Sequence, residues 1–347
     1  MAFLYDFENA FDGVKANKAR VAANMIRLRE YLDGEVPAKS VFENLLIATW
    51  NIKWLGHYGR LDESLWYIAE VLSRFDLIAI QEVRADLKDF KRIVDLLGPW
   101  WRYVVTDVTE GDAGNDERLA FLYDSRKVRF GGLAGEIVIP PVEGENDEPD
   151  TPVLQFDRTP FVTGFHCGWF DFMVATVHLH WGDGDRAAPR RVEEADALAR
   201  FLKARLEGGK TWAPHLILLG DFNVFDTDSA VYQALTAQGF EFPHEGADLP
   251  DTGAGADVRF YDQIGFLFSG PAPIEWPAAG VLNVFDAVYR DDQLETYGEV
   301  RGTAGRSNPR KYYTVTLRRN EMSDHIPLWT QLKIDFPDGY LAAAAEE

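Results

Sequence analysis

The stretch HLILLGDFNVFDTDS, His215 to Ser229, passes from an uninterrupted aliphatic run into two short polar side chains one residue apart. Leu216 to Leu219 has the length and continuity of a strand buried on both faces. Gly220 permits a tight backbone path at its end, and Asp221 and Asn223 point the same way if the chain stays extended. One rigid strand then presents two oxygen ligands to one point. The pattern recurs along the chain: ATWN ends at Asn51, IAIQE at Glu82 and MVATVH at His178, while YDQI and SDHIPLW begin strands with Asp262 and with Asp324 and His325. Any one of these is an ordinary cap or turn residue, because amides and carboxylates satisfy strand-end backbone groups routinely. Six together are hard to explain that way.

If those strand ends converge, the site holds carboxylate and amide oxygens and two histidines but no cysteine. That donor set suits a hard divalent cation such as magnesium, which takes a few protein oxygens and keeps waters for a substrate phosphate, and it disfavours zinc. A histidine doing acid or base work needs a partner that fixes its tautomer and stabilises its charged form. Glu117 and Asp262 are candidates for that partner.

The elements that must position these residues are readable in outline. Residues 15 to 33 carry Val21, Ala22, Met25, Ile26, Leu28, Tyr31 and Leu32 in an amphipathic helical pattern ahead of the main fold. LLIATW and DLIAI are strands flanking a helical pattern at 61 to 75, and a second helix at 86 to 97 leads into the strands WWRYVVT, RLAFLYD and KVRFGG. Residues 140 to 152, acidic and Pro-rich, read as an exposed loop. FVTGFH, a short CGWF turn and DFMVATVHL form a hairpin, 190 to 206 a helix, and LILLG, YDQIGFLF and HIPLWTQLKI further strands, with a Gly- and Asp-rich loop from 244 to 257. This mixture implies sheets packed face to face with helices outside.

Composition narrows the setting. No apolar run reaches the roughly 18 residues that a membrane span requires, and MAFLYDFENAFDG has acids where a signal peptide carries basic residues, so the expected location is the cytoplasm. The single Cys167 excludes an intrachain disulfide and reads as a buried thiol. With 35 basic against 56 acidic residues, the net charge of −21 opposes unspecific attraction to nucleic acid. Local charge can override that total. RGTAGRSNPRKYYTVTLRRN, 301 to 320, holds Arg301, Arg306, Arg310, Lys311, Arg318 and Arg319 and no acid. Its bland reading is a solvated strand and loop; the functional one has some of Arg301, Arg306, Arg310 and Lys311 on backbone phosphates, with Arg84, Arg158, Arg186, Arg190 and Arg191 also on segments near the rim.

TWNI, QEVR, NDERLAFLYD, RTP, VHLH, GDFN, YDQI and SDHIP, in that order, resemble the endonuclease/exonuclease/phosphatase superfamily of magnesium-dependent phosphoesterases. The resemblance spans about residues 45 to 333. Glu117-Arg118, Arg84 after Gln-Glu-Val and Arg158 before Thr-Pro make it closest to the pancreatic deoxyribonuclease branch. It implies an α/β (α+β) fold, a four-layer α/β/β/α sandwich of two mixed sheets flanked by helices. The catalytic domain would cover 45–335, with 1–44 a helical extension and 336–347 a tail. Glu82 would bind the metal, Mg2+ or its substitute Mn2+, with Asn51, Asp324, Asp221 and Asn223 around the metal and the scissile phosphate. His178 with Glu117 and His325 with Asp262 would form the acid and base pairs, which is which staying open. Arg84 and Arg158 would contact substrate phosphates, as arginine's fork geometry favours. Two departures stand out: the branch's secreted members carry disulfides and a signal peptide, and where they place a minor-groove tyrosine this chain has Asn115.

The function that follows is a metal-dependent phosphodiesterase acting on DNA as an endonuclease. The alternatives are a phosphatase or phosphodiesterase for a small-molecule or lipid phosphate ester, and a catalytically dead binding module, against which the intact polar set argues.

Overall fold

Along the first long strand, successive apolar side chains enter different cores. In β1 (Asn44–Leu55), Leu45 and Ile47 join one buried cluster while Leu46, Ala48 and Trp50 join another. A strand's side chains alternate between its two faces, so an unbroken apolar run means that both faces are covered. The computed structural model of the protein describes residues 7–11, 15–109, 116–141, 155–182, 189–209, 211–225, 229–244, 250–255, 258–268, 275–302 and 306–334. The 140–152 loop lies outside these residues from 142 on, as do Asn115, Arg186, parts of the 244–257 loop and the C-terminal tail.

In chain order the elements are α1 (Phe7–Ala10), α2 (Lys15–Glu35), β1, α3 (Asp62–Leu72), β2 (Leu77–Arg84), α4 (Lys88–Leu97), β3 (Trp101–Val105), β4 (Glu117–Asp124), β5 (Arg129–Glu136), β6 (Phe161–Cys167), β7 (Phe170–His178), α5 (Pro189–Glu207), β8 (His215–Asp221), α6 (Ala230–Ala237), β9 (Asp262–Phe268), β10 (Ala278–Val281), α7 (Leu294–Arg301), α8 (Pro309–Tyr312), a π-helical turn (Tyr313–Leu317), α9 (Arg318–Glu321) and β11 (Leu328–Lys333). Six strands form one mixed sheet in the order β10-β11-β1-β2-β4-β3, and five form a second in the order β5-β6-β7-β8-β9. Leu45, Ile47, Leu77, Phe121, Phe165, Phe172, Ile217 and Phe266 fill the space between them. Helices α2, α3 and α4 cover the outer face of the first sheet, and α5 and α6 that of the second. The result is the four-layer sandwich that the sequence implies.

The helix at 15 to 33 is α2, and it is part of the outer layer. Val21, Met25, Leu28 and Leu32 are buried there, and buried Asn24 donates to the Tyr67 and Tyr297 hydroxyls at 3.2 and 3.0 Å. Cys167 is buried as expected, and loss of solvation pushes its thiol up to about 12. No helix among the described residues is long and apolar enough to cross a membrane. The basic window departs from the strand-and-loop reading. From Pro309 on it is helical, and Tyr313 and Leu317 anchor one side of it in the same outer layer.

Candidate active site

Register brings three of the polar residues onto one rung. β7 and β8 are parallel with His178 opposite Asp221, and β8 and β9 are antiparallel with Asp221 opposite Asp262. In the facing sheet, β1 and β2 run parallel with Asn51 opposite Gln81, and both bulge just beyond. The bulge turns Glu82 into left-handed backbone, φ 59°, so its carboxylate leaves the pleat and meets Asn51. Asn51 Nδ2 donates 2.9 Å hydrogen bonds to Glu82 and to Asp221, which joins the two sheets at their common rim. Beneath it, buried Gln81 donates to Thr49 and Thr176 at 3.0 and 2.9 Å and fixes the sheet separation under the site.

Gly220 is required here for a stated reason. Its φ is 138°, and a Cβ would lie 2.2 Å from the Val177 carbonyl oxygen. Gly220→Ala should therefore cost about 2–4 kcal/mol in denaturant unfolding, combining backbone strain with a steric shift. A loss below about 0.5 kcal/mol would mean that β7 and β8 can separate freely. Beyond Asp221 the extended conformation does not continue as the sequence suggests. Asn223 has φ 53°; its backbone N–H donates to Asp221 Oδ1 at 3.0 Å and its Nδ2 to the Leu179 carbonyl at 2.8 Å. The turn still delivers both residues to one cavity, by a local hydrogen bond rather than by strand periodicity.

His325 comes from the loop before β11 rather than from the strand itself. Ser323 Oγ donates to the Asn51 carbonyl at 2.6 Å and accepts from the His325 and Lys53 amides, and Trp50 Nε1 donates to the His325 carbonyl at 3.0 Å. The loop is thus clamped to the end of β1. His325 Nδ1 lies 2.8 Å from Asp262, and His178 Nδ1 lies 3.0 Å from Glu117. Both Nε2 atoms face one oxygen, Asp221 Oδ2, at 3.5 and 3.6 Å.

The surroundings push the two imidazoles in opposite directions. Burial, and then the Arg158 guanidinium, push His178 down to about 4, while Arg158 also pairs with the Glu117 carboxylate that would otherwise hold an imidazolium. For His325 burial works against charge, but Asp262, Asp221 and Asp324 outweigh it and hold the ring well above the ordinary histidine value. The two rings are thus biased toward opposite charge states across one carboxylate, a split that suits one to accept a proton and the other to give one.

Two groups present ligand atoms within 4.8 Å of one another: Glu82, Glu117 and His178, and Asp221, Asp262 and His325. Among the described residues the buried Oδ1 atoms of Asn51 and Asn223 have no hydrogen-bond partner. Unpartnered amide oxygens beside carboxylates fit a hard cation, which would satisfy them. Asp324 accepts from Lys53 Nζ at 2.7 Å, so of the three predicted ligands Glu82 and Asn51 are in contact and Asp324 is held by a lysine.

The endonuclease/exonuclease/phosphatase family model matches residues 48–325. The chain belongs to that family. Its members are phosphoester hydrolases, generally dependent on a divalent metal. A protein named deoxyribonuclease from Thioalkalivibrio sp. strain K90mix is 33% identical over 187 residues, which is 52% of this chain and 46% of that protein. The chain thus aligns with a little under half the length of that relative. The human nocturnin catalytic domain superposes with a TM-score of 0.55 at 15% identity, covering 83% of this chain and 94% of the other. A mannosyl-6-phosphatase from Bacteroides thetaiotaomicron gives 0.53 at 20%, covering 83% and 99%.

Within this family fold, the half-open cavity of about 500 Å³ at the rim is lined by Glu82, Arg158, His178, Asp221, Asn223, Asp324 and His325, with Asn51, Glu117 and Asp262 supporting from behind. Arg319 of the basic window lines it too, and sequence reasoning missed Lys53, Trp54, Trp181, Arg259 and Tyr261, which also line it. Lys53 and Trp54 directly follow TWNI, so a strand-end reading carried two residues further reaches them. Arg84 is outside that lining, with its guanidinium 5.7 Å from the Trp54 ring centroid and 3.9 Å from Asp116. Arg191 is fully buried and bonds the carbonyls of His180, Asn223 and Trp181, while Arg190 pairs with Asp157. These two are structural because α5 must close over the end of β7.

Proposed function

We propose that this chain is a divalent-metal-dependent phosphodiesterase that hydrolyses internal phosphodiester bonds of DNA, with magnesium as the working ion and manganese as a substitute. The observation that carries the reading is the pair of histidines, each oriented by its own carboxylate, closing on one Asp221 oxygen at 3.5 and 3.6 Å. Neutral His178 can accept a proton from attacking water, with Asp221 orienting that water, and charged His325 can protonate the leaving oxygen. Asn223 and Arg158 offer a polar and a cationic contact where charge builds on phosphorus. A divalent ion bound by Glu82 and Asn51 would supply Lewis-acid stabilisation of the phosphoryl oxygens. The deoxyribonuclease name of the aligned relative supports DNA. The second reading, a small-molecule phosphate ester, draws on the cavity's size, which suits a compact ligand.

The test is a panel of supercoiled plasmid, short single strands, RNA and simple phosphate esters, each with magnesium, manganese or excess chelator. Plasmid nicking that chelator abolishes and either metal restores is the expected result. Full activity in metal-free protein would sink the assignment of the site, and activity confined to simple esters would favour the second reading.

A further inference from the structure

Among its lining residues the catalytic cavity carries four lysine and arginine side chains, Lys53, Arg158, Arg259 and Arg319. Lys53 neutralises Asp324 and Arg158 neutralises Glu117. Arg259 donates to the Val258 carbonyl at 2.7 Å. Arg319 differs from all three. Among the described residues it has neither a hydrogen-bond nor an ion-pair partner, and its Nε is shut off from solvent. A guanidinium N–H buried in this way is costly until a ligand supplies an acceptor.

The local fold explains why this arginine and not its neighbours is left unspent. The π-helical turn Tyr313–Leu317, fixed by buried Tyr313 and Leu317, leads directly into α9. There Arg318 and Arg319 point into adjacent cavities. Arg318 enters one of about 850 Å³ and pairs with Asp291 at 2.9 Å, while Arg319 enters the catalytic one. Of the rest of the basic window, Arg301 pairs with Glu321, exposed Arg310 lies 3.7 Å from Asp291, and Arg306 covers the Tyr312 ring. Of the window's basic residues, Arg319 is the one that lines the catalytic cavity.

We infer that Arg319 binds a phosphate flanking the scissile one in a DNA strand, an inference that rests on the nuclease reading above. Arg319 projects into the cavity from α9 rather than from the strand ends that carry His178 and Asp221, and it forms no ion pair with the carboxylates there, so its anion is placed beside the point that the two histidines share. A guanidinium fork matches a phosphodiester bidentately, which makes the flanking contact directional as well as electrostatic.

Short DNA substrates with one cleavable linkage, and a neutral methylphosphonate placed in turn at each neighbouring linkage, test this. In the parent protein one position should lose about tenfold in kcat/KM on neutralisation, as expected for a charge-assisted contact. In Arg319→Ala that penalty should vanish while penalties elsewhere persist, and the salt dependence of binding should flatten by about one unit of slope. Arg319→Lys, which keeps the charge, should retain part of the penalty, and its thermal melting guards against misfolding. The same penalty in parent and Arg319→Ala would overturn the inference while leaving the nuclease reading intact. Parent protein that hydrolyses only simple esters would overturn both.

Discussion

His178→Ala and His325→Ala should each lower kcat on DNA by about 10²- to 10⁴-fold, the usual worth of a positioned proton transfer. Both imidazoles are buried, with Nδ1 of His178 3.0 Å from Glu117 and Nδ1 of His325 2.8 Å from Asp262. Glu117→Gln and Asp262→Asn should cost less, since they act through the ring they orient. The double changes should be less than additive: once His325 is gone, removing Asp262 has little left to disturb. Strict additivity of His325→Ala with Asp262→Asn would mean that they do not act as a unit. The pH profile gives an independent readout. With His178 held neutral, the acid limb of kcat/KM falls as that ring gains its proton, and the alkaline limb falls as His325 loses the proton its carboxylates retain. Each alanine variant should lose its own limb.

Much of this site was legible because strand-end position is a one-dimensional signal. An apolar run that stops at His178 or Asp221 places those residues at the end of a buried strand, and two parallel strands in register put them side by side. The pairing of His178 with Glu117 and of His325 with Asp262 came from family resemblance and agrees with the geometry. What periodicity could not supply is conformation that breaks it. Glu82, Trp54 and Asn223 all adopt positive φ, and Asn223 reaches the cavity through a turn where alternation predicted a strand. Charge counting failed for a related reason. Arg191 and Arg319 look alike as letters, but one is consumed by three carbonyls and the other faces a cavity, a distinction made only by tertiary packing. The role of α2 was likewise invisible, because its partners Tyr67 and Tyr297 are distant in sequence.

Asp221→Asn should be the most damaging isosteric change in the protein, with an expected loss of about 10³-fold or more in kcat. One oxygen of this carboxylate accepts from Asn51 at 2.9 Å and faces both histidines, while the other accepts the Asn223 amide at 3.0 Å. An amide keeps the shape but reverses the function of at least one of those positions, since a carboxylate only accepts whereas an amide must also donate. It also removes a negative charge that keeps His325 protonated, so the alkaline limb of any residual activity should move to lower pH. Folding should survive, because volume is conserved and the lost charge sits at the rim of a site shaped for substrate rather than for stability. Loss on DNA and on bis(4-nitrophenyl) phosphate should be of similar size if Asp221 acts, as proposed, where the bond breaks. That parallel loss separates it from Arg319, whose effect should follow the flanking phosphate. A folded Asp221→Asn protein retaining more than about a tenth of parental kcat on both substrates would remove Asp221 from the reaction and leave the two histidines facing it without a shared purpose.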